Sequence, residues 1–130
     1  MNHFVADTHA LFWYLTDSPQ LGAKAKDCFD EGARGEAIIY IPAIVLAELY
    51  FLNEKLGRPF DFATSLEILR SSSQFVFVRF EADDTLDFDK DNLITEMHDR
   101  IIVGVARRLE AACLSRDQQI AASGLVPTIW

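Results

Sequence analysis

Apolar residues along this chain fall into short β-rich runs that alternate with longer segments of helical character. The β-rich runs are His3–Ala6, Ala37–Ile41, Phe75–Phe80, Ala112–Ser115 and Thr128–Trp130. Between these runs, apolar residues recur at the three- and four-residue spacing of a helix that buries one face. Strands that alternate with helices in this way typically pair in parallel. The pattern therefore predicts an α/β protein whose parallel sheet carries helices on both faces.

Capping and turn residues set the predicted bounds of the helices. Serine, aspartate and proline favour the start of a helix, and glycine favours its end. These residues predict helices from Ser18-Pro19 to about Gly32, from Pro42 to about Lys55, over Phe62–Ser72, from about Met97 to Glu110 and over Gln118–Ser123. The stretch Glu81–Asp99 holds eight of the 20 acidic residues and is expected to form short helices with one acidic face.

The length and composition suit one globular domain in a reducing compartment. The chain has 130 residues, 50% of them hydrophobic, so residues 1–130 are expected to form a single domain with its own core. Cys28 and Cys113 match no metal-binding spacing and are expected to be small buried apolar residues. Without a signal peptide or an apolar run of membrane-spanning length, the chain is expected to be cytoplasmic with no membrane partner.

The net charge of −8 argues against a broad surface that coats DNA, because such a surface needs an excess of lysine and arginine. It does not exclude an enzyme that acts on nucleic acid. A site that binds a divalent cation through several carboxylates is itself acidic, and the bound cation can then contact the phosphate of the nucleic acid. The positions of the acidic residues therefore decide whether the chain can form such a site.

Two acidic residues directly follow predicted strands. Asp7 ends the first apolar run, and Asp117 follows the strand at Ala112–Ser115. In an open parallel sheet, ligands bind at the edge where the carboxyl ends of the strands lie. We therefore expect both carboxylates at this edge, although Asp117 also suits the N-cap of the helix that follows it.

Two further acidic residues interrupt apolar faces of predicted helices. Glu48 has apolar residues three and four positions away on both sides, and Asp99 shares its side of a helix with Ile102, Val103 and Ala106. A buried carboxylate is disfavoured unless a cation or hydrogen-bond donors compensate it. The alternatives are that Glu48 reaches water at the rim of the sheet and that Asp99 is an ordinary acid in a first helical turn.

Together, these four carboxylates predict a metal site at one edge of the sheet. Carboxylate oxygens suit a hard cation, Mg²⁺ or alternatively Mn²⁺. The chemistry expected of such a site is attack on a phosphodiester by metal-activated water. The neighbouring hydroxyls of Thr8 and Ser115 are equally suited to orienting a carboxylate and to capping a helix.

Four segments resemble the motifs of the PIN-domain family and, within it, the VapC-type ribonuclease toxins of prokaryotic toxin–antitoxin systems. Asp7–Trp13 is similar to the opening strand and first acid of the family, and Pro42–Leu49 to its second motif, with the glutamate at Glu48. His98–Ala106 resembles the third motif and Leu114–Asp117 the fourth. The order and spacing of the motifs agree over essentially the whole chain.

This resemblance implies a three-layer α/β/α sandwich with a five-stranded parallel sheet. It also implies a Mg²⁺-dependent endoribonuclease that cleaves RNA and is inhibited by a cognate antitoxin protein, with a homodimer as the expected assembly. By position, Asp7, Glu48, Asp99 and Asp117 become the acidic quartet that binds the metal and carries catalysis. Ser115 stands where the family usually has threonine or serine.

Residues around the quartet suggest further contacts. Arg100 and Arg116 adjoin predicted ligands and are candidates for contact with RNA, whereas Arg107 and Arg108 are expected on solvated helix faces. The helix after Pro42 is apolar almost all round, so we expect it to be partly exposed at an interface. Its consecutive residues Tyr50, Phe51 and Leu52 are candidates for an antitoxin interface.

Three other functions compete with the nuclease. A phosphorelay receiver domain requires paired acids after the first strand, and a haloacid-dehalogenase-type phosphatase requires an early Asp-x-Asp, whereas this chain has only Asp7 there. The third alternative is a catalytically weak PIN-like binding module that acts through protein or RNA partners. The presence of all four acids argues against it, but the reaction itself rests on the resemblance.

Overall fold

Five parallel strands form a single sheet in the computed structural model, which describes residues 1–130. The strand order across the sheet is β3-β2-β1-β4-β5. The strands are β1 (Asn2–Ala6), β2 (Ala37–Pro42), β3 (Phe75–Val78), β4 (Ala112–Leu114) and β5 (Thr128–Ile129). With helices on both sides of the sheet, the predicted α/β/α architecture is confirmed.

Six α-helices and one 3₁₀ helix connect the strands. The α-helices are α1 (Thr8–Leu15), α2 (Ala23–Ala33), α3 (Ala43–Lys55), α4 (Phe62–Ser71), α5 (Met97–Arg108) and α6 (Gln118–Ser123). The 3₁₀ helix covers Ala82–Asp87 in the acidic stretch. No helix is long and apolar enough to cross a membrane.

The central strand β1 lies at the point where the chain reverses its direction across the sheet. From β1 the chain moves to β2 and β3 on one side, and then returns to β4 and β5 on the other side. Connections therefore leave β1 and β4 in opposite directions, and this opens a crevice at their carboxyl ends. Asp7 directly follows β1, and Ser115 directly follows β4.

The hydrophobic core lies on both faces of the central strands. Val5 of β1, Ile39 of β2 and Cys113 of β4 are fully buried, and Leu11 of α1 and Ile102 of α5 pack in the same cluster. This continuous core fixes the strand register, because a shift by one residue would place each side chain in a space that is shaped for another one.

Both cysteines are free and buried, as the sequence predicts. Burial raises the pKa of the Cys28 thiol to about 11, with smaller contributions from Glu31 and Asp27. Burial likewise raises the pKa of Cys113. The thiols are therefore protonated at neutral pH and act as small apolar core residues.

The start of α2 differs from the prediction. Ser18 and Pro19 do not begin the helix; instead, the Ser18 hydroxyl accepts a hydrogen bond from the backbone N–H of Gln20 at 3.1 Å and closes a turn. Helix α2 begins only at Ala23, with Gly22 as its N-cap. A side chain at Gly22 would collide with the backbone of Trp130, since an added Cβ would lie 2.4 Å from its carbonyl carbon.

The acidic stretch between β3 and α5 is held in place by arginines of α5. Asp91 is only 1% exposed, and its two oxygens accept hydrogen bonds from Arg107 at 2.8 and 3.1 Å. Arg108 pairs with Asp87 at 3.0 Å. Arg107 and Arg108 therefore anchor this stretch. The expectation of a solvated helix face was wrong for Arg107, which is partly buried, whereas Arg108 is exposed.

Removal of the Asp91 carboxylate should destabilise the fold. Asp91→Ala leaves Arg107 without its bidentate partner and opens a small cavity, so we expect a loss of about 3 kcal/mol in the free energy of unfolding. Urea denaturation monitored by circular dichroism measures this change. Asp89→Ala is the control, because Asp89 is exposed in the same stretch. Equal losses in the two variants would contradict the anchoring role.

Candidate active site

All four predicted acids line one cleft at the carboxyl edge of the sheet. The cleft has a volume of about 630 Å³ and includes Asp7, Glu48, Asp99 and Asp117 among its lining residues. They come from four separate parts of the chain: the end of β1, the middle of α3, the first turn of α5 and the loop after β4. The fold therefore brings together residues that are far apart in the sequence.

Asp7 is held rigidly where β1 gives way to α1. One carboxylate oxygen accepts a hydrogen bond from the backbone N–H of Thr8 at 2.7 Å, and the other accepts from the Ser115 hydroxyl at 2.7 Å. Burial raises the pKa of Asp7, although these two hydrogen bonds act in the opposite direction. Asp7 thus caps α1 and presents a nearly buried carboxylate to the cleft.

Asp117 serves as a helix cap and also lines the cleft. Its Oδ1 atom accepts a hydrogen bond from the backbone N–H of Ile120 at 3.0 Å, which caps α6. The Ser115 hydroxyl accepts a hydrogen bond from the backbone N–H of Asp117 at 3.0 Å. Through this hydroxyl, Ser115 fixes the positions of Asp7 and Asp117 relative to each other.

Glu48 lies on a partly exposed face of α3 that forms one wall of the cleft. The buried residues of this helix include Val45 and Leu49, whereas Phe51 is 71% exposed. The apolar residues around Glu48 predicted that it interrupts a buried face. The structure instead places it on a partly exposed face. Its Oε1 atom accepts a hydrogen bond from the Thr8 hydroxyl at 2.9 Å, and its Oε2 atom lies 3.3 Å from Nδ1 of His98.

Asp99 is the least compensated member of the quartet. Its backbone N–H donates to the N-cap residue Glu96 at 2.7 Å, but its own carboxylate accepts no hydrogen bond and forms no ion pair with lysine or arginine. Burial, followed by the charges of Asp7, Asp117, Glu96 and Glu48, raises the pKa of Asp99 to about 7. A cation in the cleft would relieve this repulsion.

The donor set suits a hard, hydrated cation. No three histidine, cysteine, aspartate or glutamate side chains form a preformed metal cage. Mg²⁺ commonly keeps several waters and binds through one or two carboxylates, so it does not require such a cage. The converging groups offer mainly carboxylate oxygen, which also favours Mg²⁺ or Mn²⁺ over Zn²⁺.

The two candidate arginines differ in their surroundings. Arg100 donates from Nε to the carbonyl of Ile94 at 2.6 Å and from Nη1 to the carbonyl of Phe88 at 3.4 Å, and it does not line the cleft. Its guanidinium thus helps to hold the acidic stretch, and contact with RNA at Arg100 stays a prediction. Arg116 is exposed beside Asp117, and its guanidinium carbon lies 4.4 Å from the centre of the Trp13 ring.

An exposed apolar surface adjoins the acidic cleft on α3. Tyr50 is 42% exposed, Phe51 is 71% exposed and Leu52 is partly buried. Phe51 and Leu52 also line the cleft, and Tyr50 packs edge-on against Phe62 of α4. The partial exposure predicted for this helix is therefore confirmed.

Sequence reasoning missed the aromatic cluster beside the quartet. The Trp13 and Trp130 rings are 5.6 Å apart in an edge-on arrangement, and His9 lies 5.2 Å from Trp13. In the sequence, Trp13 is one member of an apolar run and has no feature that marks it as part of a cluster. Only Trp130, the last residue of the predicted strand Thr128–Trp130, offered a pattern that could have suggested the cluster.

The family model for the PIN domain matches residues 4–124. The chain belongs to the PIN domain family. A comparison with curated protein sequences found no match. Among solved structures, this PIN domain is similar to VapBC2 from Rickettsia felis bound to a promoter DNA fragment, with TM-score 0.71, 17% identity and coverage of 97% of this chain and 96% of that one.

Two further solved structures share the fold of this PIN domain. VapC20 of Mycobacterium tuberculosis, a sarcin-ricin loop cleaving toxin, aligns with TM-score 0.71 and 16% identity over 95% of this chain and 96% of that one. FitAcB from Neisseria gonorrhoeae aligns with TM-score 0.68 and 18% identity over 96% and 95% of the two chains. The family expected from the motifs is confirmed.

The uncompensated charge of Asp99 should make the metal-free PIN domain less stable as pH rises. The folded-state pKa of about 7 exceeds the ordinary value of 3.8, so stability should fall between these two pH values and then level off. Asp99→Asn should flatten this fall and stabilise the protein at about pH 8 by about 1–2 kcal/mol, after allowance for solvent screening.

Urea denaturation in chelator at several pH values measures this effect. The variant and the wild type should have similar stability near pH 3, below the ordinary pKa of 3.8, where Asp99 is largely protonated in both the folded and unfolded states. Parallel stability curves over the whole pH range would show that Asp99 does not experience the repulsion.

Proposed function

We propose that this PIN domain is a Mg²⁺-dependent endoribonuclease and the toxin of a toxin–antitoxin pair. The observation that carries the proposal is the convergence of four carboxylates on one cleft, with Asp99 left without a counter-charge. Acidic sites of this kind suit a divalent cation that handles phosphate.

Each residue of the site has a distinct proposed role. Asp7, Glu48, Asp99 and Asp117 hold Mg²⁺, or Mn²⁺ in its place. When bound, the ion supplies Lewis-acid activation of water and neutralises charge on the phosphate. The hydroxyls of Thr8 and Ser115 keep the carboxylates of Glu48 and Asp7 in position, because each donates a hydrogen bond to one of them.

Similar proteins support RNA as the substrate. VapC20 shares the fold along nearly its whole length, and it is described as a toxin that cleaves the sarcin-ricin loop. The cleft is open at the edge of the sheet, so a polymer can pass across the carboxylates. Lys55 on the cleft wall and Arg116 in the adjoining cavity offer positive groups beside the carboxylates.

Cleavage of RNA by the purified protein tests the proposal. A panel of structured and single-stranded RNAs should be cut with Mg²⁺ or Mn²⁺ and should remain intact with chelator. Asp99→Asn should reduce cleavage at least 100-fold, because the substitution removes one charge from the metal site without removing a hydrogen bond. Gel electrophoresis of end-labelled RNA measures the rate.

Asp89→Asn is the matched control, since it removes one exposed acid outside the cleft. Thermal melting gives a second measurement: Mg²⁺ should raise the melting temperature of the wild type more than that of Asp99→Asn. Metal-bound, folded wild type that cuts no RNA would favour a catalytically weak binding module, and cleavage of DNA alone would change the substrate.

The exposed part of α3 is proposed as the antitoxin-binding surface. VapBC2 and FitAcB, which share the fold, are complexes with an antitoxin. Phe51 and Leu52 lie both on this surface and on the wall of the cleft. A partner bound here would therefore cover the approach to the carboxylates. A homodimer is also proposed, and light scattering of the isolated protein tests it.

Substitutions on this surface should weaken the complex without unfolding the protein. Tyr50→Ser with Phe51→Glu should reduce affinity for the cognate antitoxin at least tenfold, because exposed aromatic residues often dominate interface energy. Isothermal titration calorimetry measures the affinity. Leu86→Glu is the control, since Leu86 is a 76% exposed apolar residue outside α3. Unchanged affinity in the double variant would place the interface elsewhere.

A further inference from the structure

A second, smaller cavity lies directly beside the acidic cleft. Its volume is about 370 Å³, and it shares Asp7, His9 and Asp117 with that cleft. Arg116 and Trp130 contribute to its other walls. A group bound in this cavity would therefore lie next to whatever the four carboxylates hold.

Arg116 is the cationic residue that lines this cavity. It is exposed and lies next to Asp117, yet its guanidinium makes no ion pair and no hydrogen bond. The guanidinium carbon instead lies 4.4 Å from the centre of the Trp13 ring and 6.0 Å from that of Trp130. Cation–π contact thus positions the group and leaves its N–H donors free.

The aromatic residues behind Arg116 form a rigid support. Trp13 is only 7% exposed. Trp130 is fixed by its edge-on contact with Trp13 and by its close packing on Gly22, where no side chain would fit. A group that stacks on this support loses little additional protein entropy on binding, because the side chains are already ordered.

We infer that this cavity binds the nucleobase next to the scissile phosphate, stacked on the outer face of Arg116. Proteins that bind unpaired RNA commonly stack bases on aromatic rings and on guanidinium planes. The free N–H donors of Arg116 can also reach acceptors on the base edge. This inference rests on the proposed ribonuclease function and narrows its substrate to RNA with an unstacked base at the cut.

The charges around the cavity favour a base over a phosphate. Asp7 and Asp117 line it together with Arg116, so a phosphate there would meet two carboxylates. A neutral base does not meet this repulsion. The cavity therefore suits the base, while the phosphate belongs in the neighbouring cleft, where the proposed cation would offset the charge of the carboxylates.

Tryptophan fluorescence can test this subsite directly, because the only two tryptophans of the chain, Trp13 and Trp130, are both in the cluster. The cleavage-deficient Asp99→Asn protein is titrated in Mg²⁺ with a single-stranded RNA of about ten nucleotides. A ribose-phosphate chain of equal length without bases is titrated in parallel. Fluorescence anisotropy of labelled strands measures total binding.

The RNA with bases should quench tryptophan fluorescence and bind about tenfold more tightly than the abasic chain. Arg116→Ala in the same background should weaken RNA binding about tenfold and leave the abasic chain unaffected. Arg116→Lys should recover little of this loss, because lysine keeps the charge but not the planar group. Arg79→Ala, which removes an exposed arginine outside the site, should bind RNA normally.

Two results would overturn the inference. Equal binding of the two polymers without a change in fluorescence would exclude base stacking, and full recovery by Arg116→Lys would indicate a simple phosphate contact. Either result leaves the ribonuclease proposal intact if the wild type cleaves RNA. Base-dependent quenching in a protein that cleaves nothing would instead contradict the ribonuclease and retain the base-binding site.

Discussion

The repulsion among four carboxylates at the carboxyl edge of β1 and β4 is the constraint on which the site depends. Like charges are held this close only because each acid is fixed by its own element of the fold. Asp7 is tied to Thr8 and Ser115, Asp117 caps α6, and Glu48 is bonded to Thr8. Asp99 has no such bond at its carboxylate and retains the unfavourable energy. The core beneath the sheet outweighs this local cost, and a cation bound in the cleft, as proposed, would relieve it.

Features that depend on neighbouring residues could be predicted from the sequence. Each strand was placed to within two residues at either end, because a short apolar run between helical segments is a local pattern. The acids after β1 and β4 were placed at the functional edge for the same reason. Local patterns failed where one pattern fits two structures: Ser18-Pro19 suits a turn as well as a helix start, and the apolar residues around Glu48 suit a cleft wall as well as a core.

Contacts between distant residues had no comparable pattern. The Asp91–Arg107 pair joins a loop to the end of a helix, and nothing in an acid-rich stretch distinguishes the one carboxylate that becomes buried. Arg100 adjoins a predicted ligand in sequence, yet its guanidinium points to the carbonyl groups of the acidic stretch. The stacking of Arg116 on Trp13 likewise exists only after β1 and β4 have paired. Helix packing and strand order, rather than composition, create these contacts.

The hydrogen bond from Ser115 to Asp7 joins residues separated by 108 positions. Asp7 and Ser115 directly follow Ala6 and Leu114, which are the last paired residues of β1 and β4, so the strand register places them opposite each other. No segment of the chain that ends before β4 can contain the site, however well its first half folds. During synthesis, then, the ribosome must deliver nearly the entire domain before any carboxylate cluster exists. The topology thereby delays the assembly of the acidic cleft until the chain is almost complete.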